Sequence, residues 1–150
     1  MKKANKVVIG RLESIALPDL AIDDLQVRVD TGAKTSSLHV DNITKVIKDG
    51  KPSVIFDIHP DAHNVDTIVK CSAPISDIRK IKSSNGTVEQ RYVIETLIVL
   101  GEEKWSIEIT LTDRSDMSYL MLLGREALGK RFLVDPSKVF LGSKIESELG

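Results

Sequence analysis

The sequence predicts a small, mostly antiparallel β domain, barrel-like in form, with one short helix near its C-terminal end. Three observations predict this class. Apolar residues alternate with polar ones at a period of two, β-branched residues dominate the alternating runs, and turn signals recur at short spacing. Because a period of two puts alternate side chains on opposite faces of a strand, each run has one face available for a core.

The predicted strands are joined by tight turns. Val27, Val29 and Thr31 alternate with charged or polar residues in the first clear strand. The turn signals Asp49-Gly50, Asn85-Gly86 and Gly101-Glu102 then predict three hairpins, because Asn-Gly and Asp-Gly suit turns that need positive φ. These hairpins cover residues 43–59, 78–94 and 92–112, and the last two share a strand.

One segment has helical character. Residues 124–129 are a short run of helix formers that begins and ends with a glycine, which predicts a short helix. Residues 132–136 are again typical of a strand. No linker, repeat or low-complexity tract interrupts the sequence. We therefore expect residues 1–150 to form a single domain.

Composition excludes several classes of function. The net charge is −1, with 21 basic and 22 acidic side chains, whereas nucleic-acid-binding domains are usually clearly basic. No run of about 18 apolar residues predicts a membrane span, and the basic N-terminus lacks the apolar region of a signal peptide. The one cysteine, Cys71, favours a reducing compartment, so we expect a cytoplasmic protein without nucleic-acid or membrane partners.

The run Asp30-Thr31-Gly32-Ala33 follows the first clear strand and is the first candidate for chemistry. Aspartic peptidases hold a carboxylate at a tight turn, where backbone N–H groups steady one oxygen and the other faces a water. The threonine hydroxyl can brace two such turns. The same tripeptide is also a common way to leave a strand. On its own it therefore specifies little.

Two later segments strengthen this candidate. An apolar run leads into a glycine and the predicted helix, as expected for a strand that packs beneath the turn. The second predicted hairpin has a small polar tip and suits a flap that closes over an extended peptide. We expect Asp30, Thr31 and Gly32 to be catalytic. The expected substrate-binding residues are Ala33, Ser83, Ser84, Asn85 and Gly86, and the expected supporting residues are Leu122, Leu123, Gly124 and Arg125.

This order of segments resembles the retropepsins, the single-lobe proteases of retroviruses. Residues 7–141 resemble more closely a bacterial and archaeal family usually called ATP-dependent zinc proteases, whose members have a retropepsin-like fold. The resemblance implies a retropepsin-like barrel and an aspartic peptidase site. It rests on four runs and a closing strand: residues 16–18 (Ala-Leu-Pro), 29–39 (from Val29 to His39), 111–114 (Leu-Thr-Asp-Arg), 122–128 (from Leu122 to Leu128) and 132–136 (Phe-Leu-Val-Asp-Pro).

Chain length implies a partner. At 150 residues the chain is long enough for one core but not for two lobes with a cleft between them. We therefore expect a homodimer in which each copy supplies one Asp30. Its substrate would be an extended peptide or protein tail, held as an added strand.

The family's label implies a nucleotide site and a zinc site. Gly124 to Lys130 fits Gly-x4-Gly-Lys, but Arg131 stands where a phosphate-binding loop needs serine or threonine. No His-Glu-x-x-His motif is present. We expect no cofactor, although His59, His63 and Cys71 form an alternative zinc-ligand set for a zinc-dependent peptidase.

A second alternative stays open. The same fold could recognise a peptide without cutting it, as a binding module associated with an ATP-grasp ligase that modifies peptides. Such an association would explain the "ATP-dependent" label without a nucleotide site in this chain.

Overall fold

A computed structural model describes residues 6–60, 67–82, 86–113 and 119–143. This part of the chain contains twelve strands, one 3-10 turn (Pro18–Leu20) and one short helix, α1 (Arg125–Leu128). The strands, in chain order, are β1 (Val7–Gly10), β2 (Leu12–Leu17), β3 (Ile22–Asp30), β4 (Ser36–His39), β5 (Asp41–Lys48), β6 (Lys51–Ile58), β7 (Val69–Pro74), β8 (Asp77–Lys82), β9 (Val88–Leu100), β10 (Glu103–Thr112), β11 (Met121–Gly124) and β12 (Phe132–Asp135).

Six strands close into a barrel. The hydrogen-bonded order is β10-β4-β11-β3-β2-β9, and β9 pairs again with β10 to complete the ring, while β8 extends the sheet beyond β9. The prediction of a mostly β, retropepsin-like barrel with one short helix is confirmed. Closure removes most free strand edges, which would otherwise be open to pairing with other chains.

The core follows the predicted alternation. In β3 the side chains of Leu25, Val27 and Val29 are buried while the residues between them are exposed. In β10, Ile107, Ile109 and Leu111 are also buried, together with Thr110 between the last two. The inward faces of the barrel strands therefore supply one continuous apolar cluster.

The three predicted hairpins are confirmed. β5 pairs with β6, β8 with β9, and β9 with β10, each antiparallel. Asp49 has φ 52° and Gly50 has φ 78°, so both central residues of the first turn lie in the positive-φ region that Asp-Gly tolerates.

The predicted helix is present but shorter than residues 124–129. Gly124 is extended (φ −90°, ψ 174°) and ends β11, and Gly129 (φ 53°) caps α1 after a single turn. The predicted strand after it covers Phe132–Asp135. No helix in the described ranges is long and apolar enough to cross a membrane.

Two smaller sheets flank the barrel. β5, β6 and β7 form a three-stranded sheet, and β1 pairs with β12 in parallel register, from Val7 opposite Phe132 to Gly10 opposite Asp135. Neither β7 nor the β1–β12 pairing was predicted from the sequence. The second pairing joins strands from opposite ends of the described chain.

A buried carboxylate holds the C-terminal segment against the barrel. Glu13 is fully buried, and its Oε2 accepts hydrogen bonds from the backbone N–H groups of Gly10 (2.7 Å), Leu141 (2.9 Å) and Gly142 (3.1 Å). Its Oε1 accepts from the backbone N–H (3.0 Å) and the hydroxyl (2.6 Å) of Ser143. Five donors thus surround one carboxylate, which satisfies the buried backbone of the segment.

Candidate active site

Asp30 is the last residue of β3 and is half-buried, while Thr31 and Gly32 in the turn after it are exposed. The Gly32 N–H donates to Asp30 Oδ1 at 2.9 Å, and the Ala33 N–H donates to the Asp30 carbonyl oxygen at 3.2 Å. One carboxylate oxygen is therefore fixed by the turn. This is the local arrangement predicted for the Asp-Thr-Gly run.

The strand β11 lies beside the turn. It runs parallel to β3, with Leu123 opposite Val29 and Gly124 opposite Asp30. Met121 and Leu123 are buried and Leu122 is half-buried, so the apolar run packs as the sequence predicts. The site therefore sits where two neighbouring parallel strands end together.

The start of α1 holds the far side of the turn. The Arg125 N–H donates to the Ala33 carbonyl oxygen at 2.8 Å, and the Glu126 N–H donates to that of Lys34 at 3.1 Å. The Arg125 guanidinium donates to the carbonyl oxygens of Thr31 (3.2 Å) and Gly32 (3.5 Å). Arg125 thus contacts the turn through both its backbone and its side chain.

A buried serine that was not predicted joins the same cluster. Ser36 is 1% exposed, its Oγ accepts the Gly124 N–H at 2.9 Å, and its carbonyl oxygen accepts the Thr110 hydroxyl at 3.2 Å. The available signal was periodicity, because Ser36 shares the inward face of β4 with Leu38. A serine on a core-facing position needs a hydrogen-bond partner.

Replacing Gly124 by alanine is expected to destabilise the protein and lower any activity that depends on Asp30. A Cβ at this position would lie 2.7 Å from both the carbonyl carbon and the oxygen of Thr35 and 3.0 Å from the Ser36 nitrogen, so backbone must move. Overpacking of this kind costs about 1–3 kcal/mol. Urea denaturation measures the loss, with Ser106→Ala on the exposed face of β10 as the control. Unchanged stability in Gly124→Ala would contradict the close approach.

The predicted flap is a hairpin of β8 and β9. Its tip includes Gly86, which is exposed with φ 87°, while Ser83, Ser84 and Asn85 lie outside the described residues. At the base of the hairpin, Arg79 bridges Asp77 Oδ2 (2.9 Å) and Glu108 Oε1 (2.8 Å), and the hydrogen bond from Arg79 lowers the pKa of Asp77. An ion pair thus joins the β8–β9 hairpin to the barrel strand β10.

The alternative zinc ligands are only partly described. His59 directly follows β6, and its Nε2 lies 2.9 Å from Asp41 Oδ2, while His63 lies outside the described residues. Cys71 is buried in β7, with its thiol 3.6 Å from the Leu20 carbonyl oxygen. Within residues 6–60, 67–82, 86–113 and 119–143, no three His, Cys, Asp or Glu side chains form a group that could hold a metal ion.

Charged groups near His59 are paired with one another. The Asn42 amide donates to Asp57 Oδ2 at 2.8 Å and lowers the pKa of that carboxyl, and Lys70, 3.5 Å from Oδ1, lowers it further. His39 Nε2 lies 3.8 Å from Asp41 Oδ1. His39 ends β4, Asp41 begins β5 and His59 follows β6, so this cluster lies at the junction of those three strands.

The Cys71 thiol is expected to react slowly with alkylating reagents at pH 8. Burial and, to a smaller extent, the nearby charge of Asp57 raise the pKa of this thiol to about 11, so the neutral thiol dominates until the pH approaches that value. Mass spectrometry after iodoacetamide treatment checks this, with the urea-unfolded protein as the reactive reference. Equal labelling of the folded and unfolded protein at pH 8 would contradict it.

Known proteins are similar to the chain over nearly its whole length. The family model described as "RimB-like: Retropepsin-like aspartic endopeptidase RimB" matches residues 8–145. This agrees with the resemblance drawn from the Asp-Thr-Gly turn and the Leu-Leu-Gly-Arg strand, and the retropepsin-like assignment is confirmed.

Longer proteins also contain a similar region. A protein named "Probable alpha-L-glutamate ligase" from Shewanella halifaxensis is 46% identical over 97% of this chain, and that of Shewanella pealeana is 47% identical over the same share. One of the same name from Desulfotalea psychrophila is 42% identical. The chain spans 32% of the length of each of these three relatives.

A solved structure has a similar fold. The crystal structure of Lpg0085, a Legionella pneumophila protein of unknown function, superposes with a TM-score of 0.76 at 30% sequence identity. The match covers 91% of this chain and 98% of that one. The barrel and the strands around it are therefore an arrangement that a related sequence also adopts.

Proposed function

Because this chain belongs to the RimB-like family of retropepsin-like aspartic endopeptidases, we propose that it hydrolyses peptide bonds with Asp30 from each of two identical chains. The observation that carries this proposal is the turn at residues 30–33, which is held by hydrogen bonds. Gly32 fixes Asp30 Oδ1 at 2.9 Å, and Gly124 lies opposite Asp30 in β11. An oxygen held by backbone N–H leaves the second oxygen of the carboxylate for a water.

In the proposed mechanism the two Asp30 carboxyl groups share one proton, because two like charges at short separation do not both ionise readily. The ionised carboxylate takes a proton from a water, whose oxygen attacks the scissile carbonyl carbon. The protonated carboxyl donates to the carbonyl oxygen as charge develops there. When the C–N bond breaks, the amide nitrogen takes up a proton, and the products are a carboxylic acid and an amine.

The exposure of the turn supports a dimer. Thr31 and Gly32 lie at the surface of one chain, where the turn of a second copy can meet them about a two-fold axis. Thr31 would then brace the two turns. In this chain β1 pairs with its own β12, so a dimer built by exchange of terminal strands is not part of the proposal.

The names of the relatives point to a substrate class. Three proteins that contain a similar region are named alpha-L-glutamate ligases, and a ligase of this kind forms bonds to glutamate. We therefore propose a glutamate-containing peptide or protein tail as the substrate. It would lie as an extended strand under the β8–β9 hairpin. An ATP-grasp glutamate ligase is the proposed partner, and the reducing cytoplasm is the proposed location.

The second candidate function is a peptide-binding module that does not cut. The observation in its favour is that the relatives are named for ligation, and the chain matches only 32% of their length. In such a protein the barrel would present a glutamyl tail to the ligase. Asp30 would then be a structural residue of the turn.

Cleavage of a glutamate-containing peptide by the purified protein, with and without a chelator, separates these functions. The aspartic dimer is supported if a chelator does not stop cleavage and if the specific activity rises with protein concentration over the range in which the dimer forms. Cleavage that a chelator stops supports the zinc-dependent peptidase with His59, His63 and Cys71. Binding without cleavage between pH 3 and pH 9 supports the module.

A further inference from the structure

A cationic side chain lies on the same open face of β3 as Asp30. Along this strand Leu25, Val27 and Val29 are buried, whereas Arg28 is exposed and Asp30 is half-buried. Residues two apart in a strand share a face, and their Cα atoms lie about 7 Å apart. The Arg28 side chain therefore starts about two residue lengths from Asp30, close enough to reach a residue next to a peptide bond held there.

Two leucines flank Arg28 on the neighbouring strands. Its register partners are Leu12 in β2 and Leu122 in β11, and both are half-buried. Side chains of directly paired residues stand on the same face of a sheet. Two residues further along β3, Asp30 is paired with Gly124, which has no side chain. The surface beside the carboxylate is thus an apolar strip with one positive charge at its centre.

The Arg28 guanidinium has no protein partner among residues 6–60, 67–82, 86–113 and 119–143. Other arginines are engaged: Arg79 and Arg131 each pair with a carboxylate, and Arg125 donates to the backbone of the turn. With respect to the described part of the chain, all five guanidinium donors of Arg28 can therefore bind a ligand. A planar fork of this kind matches a carboxylate through two parallel hydrogen bonds.

We propose that Arg28 is the specificity-determining residue that binds a carboxylate side chain next to the scissile bond. This inference rests on the proposed function, because it takes the reacting bond to lie at Asp30. In a two-fold dimer the two Arg28 side chains lie on opposite sides of that bond. The site therefore selects an acidic residue on each side of it, and the flanking leucines pack against the methylene groups of a glutamate.

Matched peptides test the role of Arg28. Two internally quenched peptides carry either glutamate or glutamine on both sides of the scissile bond, and two more carry glutamate on one side only. Arg28→Gln is expected to lower kcat/KM for the doubly acidic peptide by about 10- to 100-fold, because a charge-assisted hydrogen bond is lost, and to leave the glutamine peptide within about twofold. Arg28→Lys is expected to restore part of the loss. Lys45→Gln, an exposed cation on β5, is the control.

A binding measurement separates this inference from the proposed function. The Asp30→Asn protein is titrated with the same peptides, with and without Arg28→Gln, by calorimetry. A selective loss of affinity for the acidic peptides supports Arg28 even if the wild-type protein cuts none of them, in which case only hydrolysis fails. Equal losses for the glutamate and glutamine peptides, or no loss, would overturn the role of Arg28. A melting curve of each variant verifies folding, and Arg28→Met serves as a second variant of similar length.

Discussion

Asp30→Asn is expected to abolish peptide cleavage, with kcat/KM falling by about 10⁴-fold or more, while the fold and the dimer persist. Asparagine keeps the size of the side chain and an oxygen that can accept the Gly32 N–H, now 2.9 Å from Asp30 Oδ1. It cannot take a proton from water. The change therefore removes the base and leaves the turn intact, which separates chemistry from structure.

The comparison for this variant is Asp23→Asn. Asp23 lies on the same strand and is exposed, so its substitution is expected to leave cleavage within about twofold. Peptide cleavage is followed by mass spectrometry, and the dimer by analytical ultracentrifugation. Full activity in Asp30→Asn would end the aspartic peptidase proposal. Loss of the dimer would instead assign Asp30 a role in assembly.

The second large effect concerns stability. Glu13→Ala is expected to lower the free energy of unfolding by at least about 3 kcal/mol, because three of its five donors are buried and each buried donor costs about 1–3 kcal/mol when unpaired. The donors are the N–H groups of Gly10, Leu141, Gly142 and Ser143 and the hydroxyl of Ser143. The alanine would also leave a cavity beneath the C-terminal segment.

A graded series distinguishes hydrogen bonding from packing at this position. Glu13→Gln keeps one acceptor oxygen and the volume of the side chain, so its loss of stability is expected to be smaller than that of alanine. Glu126→Ala, an exposed glutamate in α1, is expected to change stability by no more than about 0.5 kcal/mol. Urea denaturation of the three variants gives the comparison. A loss below 1 kcal/mol in Glu13→Ala would show that the carboxylate does not hold the segment.

Much of the barrel could be predicted from the sequence because its signals are local. The alternation through Val27 and Val29 and the turn at Asp49-Gly50 act over a few residues, and the corresponding strands formed where expected. The Asp30 turn and the Leu122-Leu123-Gly124 strand were also local motifs. The register between them, with Gly124 opposite Asp30, could not be predicted from the sequence and is seen in the structure.

The features that were missed depend on residues far apart in the chain. Glu13 occupies an inward position between Leu12 and Ser14 in a strand whose buried face also carries Ile15 and Leu17. Four of the five donors to this glutamate come from residues 141–143, more than 120 positions away, and only the Gly10 N–H is near it in the sequence. The hydroxyl of Ser36 similarly finds its partner in Gly124. Periodicity marks such positions as unusual, but it does not identify the partner.

The pairing of β1 with β12 has a consequence for how the molecule forms. The fold is complete only when the two strands of this flanking sheet, which come from opposite ends of the described chain, meet with Val7 opposite Phe132. Closing so long a loop costs conformational entropy before any contact offsets it, so folding is expected to be slow, on a timescale of milliseconds to seconds. Since both strands come from one chain, this slow step is unimolecular. Its rate is expected to be independent of protein concentration, and two copies would meet as bodies that have already folded.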